Sequence, residues 1–399
     1  MEFNFDTALT RADALQGLLE RWKPVHDAPD ALPLQNAYGR TSAIDYRASY
    51  NLPVHRVSAF DGIAVNFDHF ISSMPALEHW KRGVDYVLAD TGDDFPDEFD
   101  TVIAIEAVRF DADGAVHVDP NEQVKRGQNV RAAGTYMEQG ELICAAGERI
   151  TPEIAALLAA SGHTVVQAIR KLRVGYIPTG TELVAPGVVP GRGQNVEANS
   201  TMICGFAQQW GAAFCAYPKI NDDRDALKTI FEQALSENDV VIINGGSSRG
   251  SEDFNADLVK EHSEYFTHGV RCAPGRPVGI ALCKGTVALN VPGPIIAAWL
   301  CCDWLLRGII DFYYGAPRTQ RVRIPVVLDS HIKSPKWGSF VARVVLTCVD
   351  GTWHARAASK DSTLPTTLLA PHALVTVPQG SVFEPGSTVV AEVLRDLPR

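Results

Sequence analysis

The stretch DVVIINGGSSRGSEDF, from Asp239 to Phe254, decides the fold of this sequence. It begins as a continuous apolar run, which is typical of a strand buried on both faces of a parallel sheet. It then breaks on two glycines and continues with serines, an arginine and acids. A strand that ends in a glycine turn before a helix is the repeating element of an α/β sheet, in which ligands bind at the carboxyl ends of the strands.

Strands and helices alternate on both sides of this stretch, between residues 172 and 315. The predicted strands are LRVGYIP, AFCAYPKI, DVVIING and TVALNVPG. The helical patterns between them include NSTMICGFAQQWG, with Asn199 or Ser200 as its N-cap, and DRDALKTIFEQALSEN. This βαβ series predicts a parallel sheet with helices on both faces.

The flanking regions have a different texture. Residues 6–23 have helical apolar spacing, with Asp6 as the predicted N-cap. Short alternating stretches from about residue 45 to 135 predict a small β-rich domain. A helical pattern returns at 152–161, so the segments before and after the β-rich domain are predicted to pack together, with that domain as an excursion. Strand patterns from residue 319 onward predict a small C-terminal β-barrel or sandwich.

The composition excludes several classes of function. The chain has 399 residues, enough for several domains, and a formal charge of -11, which argues against non-specific nucleic-acid binding. Its eight cysteines form no CxxC pair, so we expect free thiols in a reducing compartment. The N-terminal residues show no signal-peptide pattern, and the most apolar helical stretch is interrupted by Asp303, Arg307 and Asp311. We therefore predict a cytoplasmic protein without a membrane span.

The first predicted strand of the α/β sheet runs into the turn YIPTGTEL. Gly180 permits a tight turn, Thr179 and Thr181 offer hydroxyl groups, and Glu182 stands where a ligand could meet it. Taken alone, the same residues are also compatible with a plain turn carrying solvated polar side chains.

The glycines of the opening stretch form a second turn. Gly245 and Gly246 let backbone N–H groups approach an anion, and Ser248 adds a donor, so a phosphate fits this turn. Asp253 stands too far along the chain for a plain cap and could hold Mg²⁺ beside that phosphate. The alternative is a glycine-rich connector with a surface acid.

Two further turns complete the set. APGRP presents Arg276 on a stiff turn, where a guanidinium can bind a phosphate, and Pro292-Gly293-Pro294 ends the last strand. Each is compatible with a structural turn when taken alone. Together, the four turns predict a pocket at one sheet edge for a phosphorylated small molecule and a divalent metal.

Another stretch indicates the family. PVHRVSAFDGIAV, from Pro53 to Val65, resembles the Ser-Ala-Met-Asp-Gly-Tyr-Ala signature of the molybdopterin molybdenumtransferases, which are the MoeA proteins and the gephyrin E domain. Other stretches of the chain resemble further motifs of that family and follow in the same order. They are TGDDFPDEFDTVIAIE, GQNVRAAG, PTGTEL, NGGSSRGSEDF, APGRP and NVPGPIIAA. The resemblance covers nearly the whole chain, including the C-terminal β-rich region.

The resemblance implies an α/β multidomain fold and a homodimer, with the active site between the α/β domain of one subunit and the β-rich domain of the other. The predicted domains are an elongated linker and dimerisation domain (1–47 plus 137–171), a β-rich inserted domain (48–136), a molybdopterin-binding α/β domain (172–316) and a C-terminal β-barrel-like domain (317–399).

The resemblance also implies a reaction. Family members insert molybdate into adenylylated molybdopterin in a Mg²⁺-dependent step that releases AMP during molybdenum cofactor biosynthesis. The expected partners are a molybdopterin adenylyltransferase-type protein and molybdoenzymes, with no nucleic acid and no membrane.

Matching the motifs position by position assigns the site residues. The predicted catalytic residues are Asp61, Glu182 and Asp222, and the predicted metal ligands are Asp253 and Asp61. The residues predicted to bind the substrate are Ser58, Thr91, Thr179, Gly180, Gly245, Gly246, Ser248, Pro274, Gly275, Arg276, Pro292 and Gly293.

The sequence departs from the family pattern at several charged positions. The family's Arg-Arg-Arg-Gly-Glu-Asp is here RAAGTY, so Thr135 and Tyr136 replace two acids. Thr181 replaces the aspartate of the first turn, and Arg56 stands where an acid is usual. Losing an acid that places a metal or oxyanion costs orders of magnitude in rate if the mechanism is unchanged. Two hypotheses follow: a divergent molybdenumtransferase, or a paralogue that binds, carries or senses molybdopterin or its finished cofactor.

Overall fold

The computed structural model describes residues 8–26, 28–246, 255–315, 321–358, 365–395 and 397. The chain forms two compact units: the β-rich unit, residues 29–169, and the α/β–barrel unit, residues 1–28 and 170–399. The latter begins with helix α1 (Arg11–Leu19), capped by Thr10, whose Oγ1 accepts a hydrogen bond from the Asp13 N–H. The predicted cap, Asp6, lies outside the described residues, and the helix starts later than predicted.

The β-rich unit consists of short antiparallel pairs and one helix. Its strands are β1 (Asp30–Pro33), β2 (Tyr46–Arg47), β3 (Val57–Ser58), β4 (Gly62–Val65), β5 (Tyr86–Ala89), β6 (Thr101–Ala104), β7 (Val108–Phe110), β8 (Val116–Val118), β9 (Val130–Arg131), β10 (Leu142–Cys144) and β11 (Val165–Ala168). Strand β4 lies between β5 and β6, and the other pairs are β1–β11, β2–β10, β3–β9 and β7–β8. Strands β1 and β2 pair with the last two strands of this unit, β11 and β10. The first and last segments of the β-rich unit therefore lie side by side.

Helix α2 (Pro152–Ala160) shows how local sequence sets an element's bounds. Pro152 is its first residue, and Oγ1 of Thr151 accepts the N–H of Ile154. Gly162, just beyond its end, has φ 99°, a conformation that favours glycine. The predicted helix at this position is confirmed. The division of the chain into four domains, with the bounds given above, remains a prediction.

The α/β–barrel unit contains a six-stranded sheet in the order β15-β12-β16-β20-β19-β17. Its first four strands are parallel, which confirms the predicted βαβ series. Strand β19 runs antiparallel to both of its neighbours, β20 and β17. The strands from this part of the chain are β12 (Arg173–Pro178), β13 (Leu183–Val184), β14 (Asn195–Val196), β15 (Ala213–Ala216), β16 (Val240–Asn244), β17 (Tyr265–His268), β18 (Cys272–Ala273), β19 (Gly279–Cys283) and β20 (Thr286–Val291).

Helices cover this sheet and lead away from it. They are α3 (Asn199–Gln209), α4 (Arg224–Glu237), α5 (Asn255–Glu261), α6 (Ile295–Cys301) and α7 (Arg307–Tyr314), with a π-helical turn at Cys302–Leu306 joining the last two. Strand β16 is buried along its whole length, as its continuous apolar run predicts. Its core partners include Ile177, Phe231 and Ala288.

The antiparallel edge of this sheet was not predicted from the sequence. Lys284 and Gly285 form the two-residue loop between β19 and β20, with φ 51° and 86°. Two consecutive positive φ angles favour a type I′ hairpin, which makes the neighbouring strands antiparallel. As a result, β19 begins at the edge where β20 ends, with Gly279 opposite Asn290.

The C-terminal strands form a closed five-stranded β-barrel, as predicted. Strands β23, β24, β21, β27 and β25 pair in turn, and β25 closes the ring on β23. The strands are β21 (Arg323–Leu328), β22 (Ile332–Lys333), β23 (Ser339–Val349), β24 (Thr352–Ala357), β25 (Ala373–Val377), β26 (Val382–Phe383) and β27 (Thr388–Val393). The core of the barrel is apolar and includes Val344, Val375 and Ala391. In the described part of the chain, no helix has the length and apolar character needed to cross a membrane.

Candidate functional site

The first turn at the carboxyl edge of the sheet follows β12. Thr179 is buried, and both its N–H and its hydroxyl donate to the carbonyl oxygen of Asn244, at 3.0 and 3.1 Å. Asp222 and Thr181 exchange two hydrogen bonds of 3.2 Å, each from the backbone N–H of one to the side chain of the other. Asp222, a predicted catalytic residue, therefore holds this turn in place. Whether it also acts on a ligand remains a prediction.

Glu182, the second acid of this turn, is exposed and folds back over Gly180. A β-carbon on Gly180 would lie 2.3 Å from a Glu182 carboxylate oxygen, and Gly180 has φ 136°. A side chain at position 180 would therefore need both a strained backbone and a displaced carboxylate. Glu182 directly follows Thr181, the residue that Asp222 holds, and its catalytic role remains a prediction.

The Gly245–Gly246 turn follows β16 and packs directly on Thr179. A β-carbon on Gly245 would lie 2.6 Å from the Thr179 carbonyl oxygen, and Gly245 and Gly246 have φ 113° and 50°. Only glycine meets both conditions without displacing the backbone. Two further predicted residues, Ser248 and Asp253, lie outside the described residues.

The last two predicted turns also reach this edge. A β-carbon on Gly293 would lie 3.9 Å from the Cα of Gly245, so the Pro292–Gly293 turn stands next to the Gly245–Gly246 turn. Gly275, after Pro274, lies against α6, where its carbonyl oxygen accepts a contact of 3.5 Å from Sγ of Cys301. The Arg276 guanidinium lies 5.4 Å from the centre of the Trp337 ring. This cation–π contact sets where that cation points.

Four buried asparagines at this edge were missed by the sequence analysis. Asn199, Asn244, Asn255 and Asn290 are between 0 and 7% exposed. Asn244 and Asn290 interrupt the otherwise apolar strands VVIIN and TVALNV, and that break in pattern was the available signal. Buried amides persist in a fold when they are hydrogen-bonded, so these residues organise the edge.

Helix α3 begins differently from the prediction, for a related reason. Neither predicted cap residue acts as a cap: the N-cap position is Ala198, and Glu197 instead accepts the Ser200 N–H at 3.0 Å. Glu197 also lies 3.0 Å from the Tyr176 hydroxyl. Burial, together with this carboxylate, raises the pKa of Tyr176 above its usual value, so the phenol stays a neutral donor. Asn199 is thereby left to bond inward.

Asp61 lies in the β-rich unit, in the turn before β4. Its Oδ1 accepts two hydrogen bonds from Thr91, 2.7 Å from the backbone N–H and 2.8 Å from the hydroxyl. These two donors lower the pKa of the Asp61 carboxyl below 3.8, the backbone bond contributing more, so the group is an exposed carboxylate at neutral pH. Ser58, predicted to bind substrate, donates its hydroxyl to the Phe60 carbonyl oxygen within the same turn, and its role towards a ligand remains a prediction.

Thr91→Val should raise the pKa of Asp61 towards 3.8 without reaching it. The variant removes the hydroxyl donor and keeps the larger backbone contribution, so part of the lowering remains. A pH titration of the Asp61 carboxyl carbon by NMR measures this. Thr135→Val is the matched control, because that hydroxyl donates to the Ala132 carbonyl oxygen instead. An unchanged or lower pKa in Thr91→Val would contradict the assignment of the hydroxyl as a donor.

Two of the residues that depart from the family pattern pair locally. Tyr136 accepts a hydrogen bond of 2.6 Å from Arg131 through its hydroxyl, and the guanidinium also lies 5.3 Å from the ring centre. Arg56 donates to the Pro96 carbonyl oxygen and lies 5.0 Å from the Phe95 ring centre. Both arginines are therefore held by neighbouring loops within the β-rich unit.

The described residues contain no group of three or more His, Cys, Asp or Glu side chains arranged to hold a metal ion. Mg²⁺ often binds through one or two carboxylates together with waters and substrate phosphates, so a larger cluster is not required. Asp61 fits that pattern, because it is exposed and only its Oδ1 is hydrogen-bonded within the described part of the chain.

Two cavities lie elsewhere in the α/β–barrel unit. One, of about 460 Å³, has Phe206, Trp210 and Trp299 in its wall, and the other, of about 440 Å³, has Leu15 and Trp304. Within the described residues, neither is lined by a predicted site residue. The candidate site is therefore defined by the turns at the sheet edge, which present backbone groups rather than a deep hydrophobic cavity.

Two protein-family models match the chain. The one described as "MoeA N-terminal region (domain I and II)" matches residues 9–162, and the one described as "Probable molybdopterin binding domain" matches residues 175–311. Together they cover most of the β-rich unit and the α/β sheet with all four turns, and neither reaches the C-terminal barrel.

Curated relatives point the same way. The chain is 27% identical over 348 residues to molybdopterin molybdenumtransferase 2 of Mycobacterium tuberculosis, which covers 81% of this chain and 85% of the relative. It is 26% identical over 386 residues to the molybdopterin molybdenumtransferase of Bacillus subtilis, with 91% and 89% covered.

A solved structure shares the fold. The molybdopterin biosynthesis MoeA protein from Pyrococcus horikoshii superimposes with a TM-score of 0.80 at 23% sequence identity, covering 98% of this chain and 100% of that one.

Proposed function

Because the chain belongs to the MoeA family of molybdopterin molybdenumtransferases, we propose that it inserts molybdate into adenylylated molybdopterin during molybdenum cofactor biosynthesis. In the proposed reaction, the two dithiolene sulfurs of molybdopterin replace two oxygens of molybdate, which leave as water with the two thiol protons and two protons from solvent. Water cleaves the adenylyl phosphoanhydride bond, and AMP is released. The observation that carries this proposal is the set of glycine turns at one sheet edge, after β12, β16 and β20.

The turns suit the phosphate of a molybdopterin. Gly246 and Gly293 are exposed, and they carry no side chain that would separate a ligand from their peptide groups. Carboxyl ends of parallel strands are the usual place for phosphorylated ligands in such sheets. We assign the substrate to the turns at Thr179–Gly180, Gly245–Gly246 and Pro292–Gly293, with Arg276 as a further cation.

Asp61 is the proposed catalytic carboxylate of the β-rich unit. Thr91 orients its Oδ1 and keeps it ionised, so Oδ2 can bind a cation or a water molecule. Mg²⁺ bound by Asp61 would neutralise charge on the substrate's phosphate oxygens. Asp253 remains the second predicted metal ligand and lies outside the described residues. We propose that Glu182 and Asp222, which lie in and against the turn after β12, are further catalytic residues.

A second candidate function is favoured by one observation. Tyr136 stands where the family carries an acid, and its hydroxyl is engaged by Arg131 at 2.6 Å. A chain that lost this acid could bind molybdopterin or its finished cofactor and carry or sense it without turnover. Either function is compatible with a homodimer. Either is also compatible with partners that supply and receive the pterin, namely a molybdopterin adenylyltransferase-type protein and molybdoenzymes.

Complementation tests the proposal in cells. In a bacterial strain lacking its own molybdopterin molybdenumtransferase, the wild-type chain should restore the activity of a molybdenum enzyme. Asp61→Ala should lower that activity about 100-fold or more, because a preorganised charged group is lost. Asp113→Ala is the matched control: Asp113 caps the Ala115 N–H in the β7–β8 turn of the same unit. Failure of folded wild-type chain to restore activity would contradict the proposed function.

A further inference from the structure

The four buried asparagines at the sheet edge hold the glycine turns through hydrogen bonds on the buried side of those turns. We call Asn199, Asn244, Asn255 and Asn290 the amide cluster. All lie at or next to the carboxyl ends of β16 and β20, or in the first turn of α3 or α5. Their side-chain bonds run mainly to backbone carbonyl oxygens of the turns and strand ends, and a carbonyl held in one direction fixes its whole peptide group.

Asn244 and Asn199 bind the Pro292–Gly293 turn. Nδ2 of Asn244 donates to the Pro292 carbonyl oxygen at 2.9 Å and lies 3.3 Å from that of Val291. Nδ2 of Asn199 donates to the Gly293 carbonyl oxygen and to Oδ1 of Asn244, both at 2.8 Å. The two amides therefore work as a linked pair.

Asn290 and Asn255 bind the Gly245–Gly246 turn in the same way. Their Nδ2 atoms donate to the Gly245 carbonyl oxygen at 2.9 and 3.1 Å. Oδ1 of Asn290 is buried and has no hydrogen-bond partner within the described residues. Leaving such an oxygen unpaired is unfavourable, so the role of this asparagine rests on its Nδ2 donor.

The direction of these carbonyls fixes two backbone donors. In a trans peptide the N–H points opposite to the C=O. The Gly245 carbonyl faces the amide cluster, so the Gly246 N–H of the same peptide group points away from the cluster. The Pro292 carbonyl also faces the cluster, so the Gly293 N–H points away from it as well. Both glycines are exposed, and neither N–H has an acceptor within the described residues. The two turns are in contact, with a Gly293 β-carbon position 3.9 Å from Gly245 Cα.

We propose that the amide cluster is a positioning device, which aims the Gly246 and Gly293 N–H groups at one anionic oxygen group of the ligand. Resting on the proposed function, this assigns the phosphate ester of molybdopterin to these two donors. The asparagines do not touch the ligand. They act through the peptide groups that they hold. Asn244 serves the Gly293 donor through the Pro292 carbonyl, and Asn199 supports Asn244 by donating to its Oδ1. Asn290 and Asn255 serve the Gly246 donor through the Gly245 carbonyl.

The test uses full-length protein labelled with ¹⁵N-glycine. Molybdopterin binding is measured by calorimetry, and the Gly246 and Gly293 amide signals are followed by NMR. Asn244→Asp replaces the Nδ2 donor by an oxygen that repels the Pro292 carbonyl. We expect it to weaken molybdopterin binding about 10- to 100-fold and to raise KM more than it lowers kcat, because bonds to a charged group are lost. Asn199→Ala should move the Gly293 signal and leave the Gly246 signal in place.

Asn238→Asp is the matched control. Asn238 is as buried as Asn199, at 7%, but lies near the opposite edge of the sheet, where its Nδ2 bonds Tyr217 and the Ala234 carbonyl. It should destabilise the protein to a similar extent without moving either glycine signal or the dissociation constant. Equal molybdopterin affinity and unmoved signals in Asn244→Asp would overturn the proposal. If wild-type protein does not bind molybdopterin, the proposed function fails, and the glycine signals of the ligand-free variants still decide the role of the amide cluster.

Discussion

Gly245→Ala should weaken binding of adenylylated molybdopterin about 100-fold, while the sheet beneath it stays folded. The new β-carbon would lie 2.6 Å from the Thr179 carbonyl oxygen and 2.8 Å from its Oγ1, and φ is 113°. The carbonyl belongs to the backbone, so no rotamer change relieves the clash. The turn has to move, and displacements of about 1 Å are enough for losses of this size. Calorimetric binding measurements and far-UV circular dichroism give the two readouts.

Gly205→Ala is the matched control for this substitution. Gly205 lies within α3, and a β-carbon there would meet no heavy atom within 4 Å. Alanine in a helix is favoured over glycine by about 1 kcal/mol, so this variant should bind normally and gain slightly in stability. Normal affinity in Gly245→Ala would show that the turn after β16 does not hold the ligand.

Gly62→Ala should destabilise the β-rich unit by about 3 kcal/mol. Here the backbone φ is ordinary and only space excludes a side chain: a β-carbon would lie 2.0 Å from the Ile103 carbonyl oxygen and 3.2 Å from Ala104 Cα. Strands β4 and β6 would have to separate along the register that pairs Gly62 with Ala104. We expect faster hydrogen exchange at β4, a lower urea midpoint and loss of the ordered Asp61 turn that precedes the strand.

Gly83→Ala separates crowding from backbone strain in the same unit. Gly83 has φ 83° and would place its β-carbon in open space, so this variant should cost only about 1 kcal/mol and leave exchange at β4 unchanged. Equal exchange at β4 in Gly62→Ala and wild type would mean that β4 and β6 are not held at the distance described.

Much of the fold follows from periodicity. The continuous apolar run at Val240–Asn244 and the Pro152 helix start predict their elements because each rests on local chemistry. The β19–β20 hairpin was missed because its signal is only the Lys284–Gly285 pair, whose conformation depends on the strands it joins. Asn199 failed as a predicted cap because its side chain turns away from the helix start, where its Nδ2 donates to the Gly293 carbonyl oxygen at 2.8 Å.

The site was predictable in part, for a similar reason. Glycine indicates a backbone conformation that other residues do not adopt easily. Gly180, Gly245 and Gly246 could therefore be chosen as turn residues of the candidate site from the sequence alone. For Asn244 and Asn290 the sequence offers only a break in an apolar strand, because the carbonyl groups that they bind are brought near by strand pairing. Ser58 remains a prediction, and the structure shows only that its hydroxyl donates within its own turn.

AMP release from adenylylated molybdopterin by purified wild-type protein, measured with Mg²⁺ and with or without molybdate, decides between the two candidate functions. We expect release that depends on molybdate. Tight binding of adenylylated molybdopterin with no AMP release would contradict it, and would mean that the fold serves a protein that carries or senses molybdopterin.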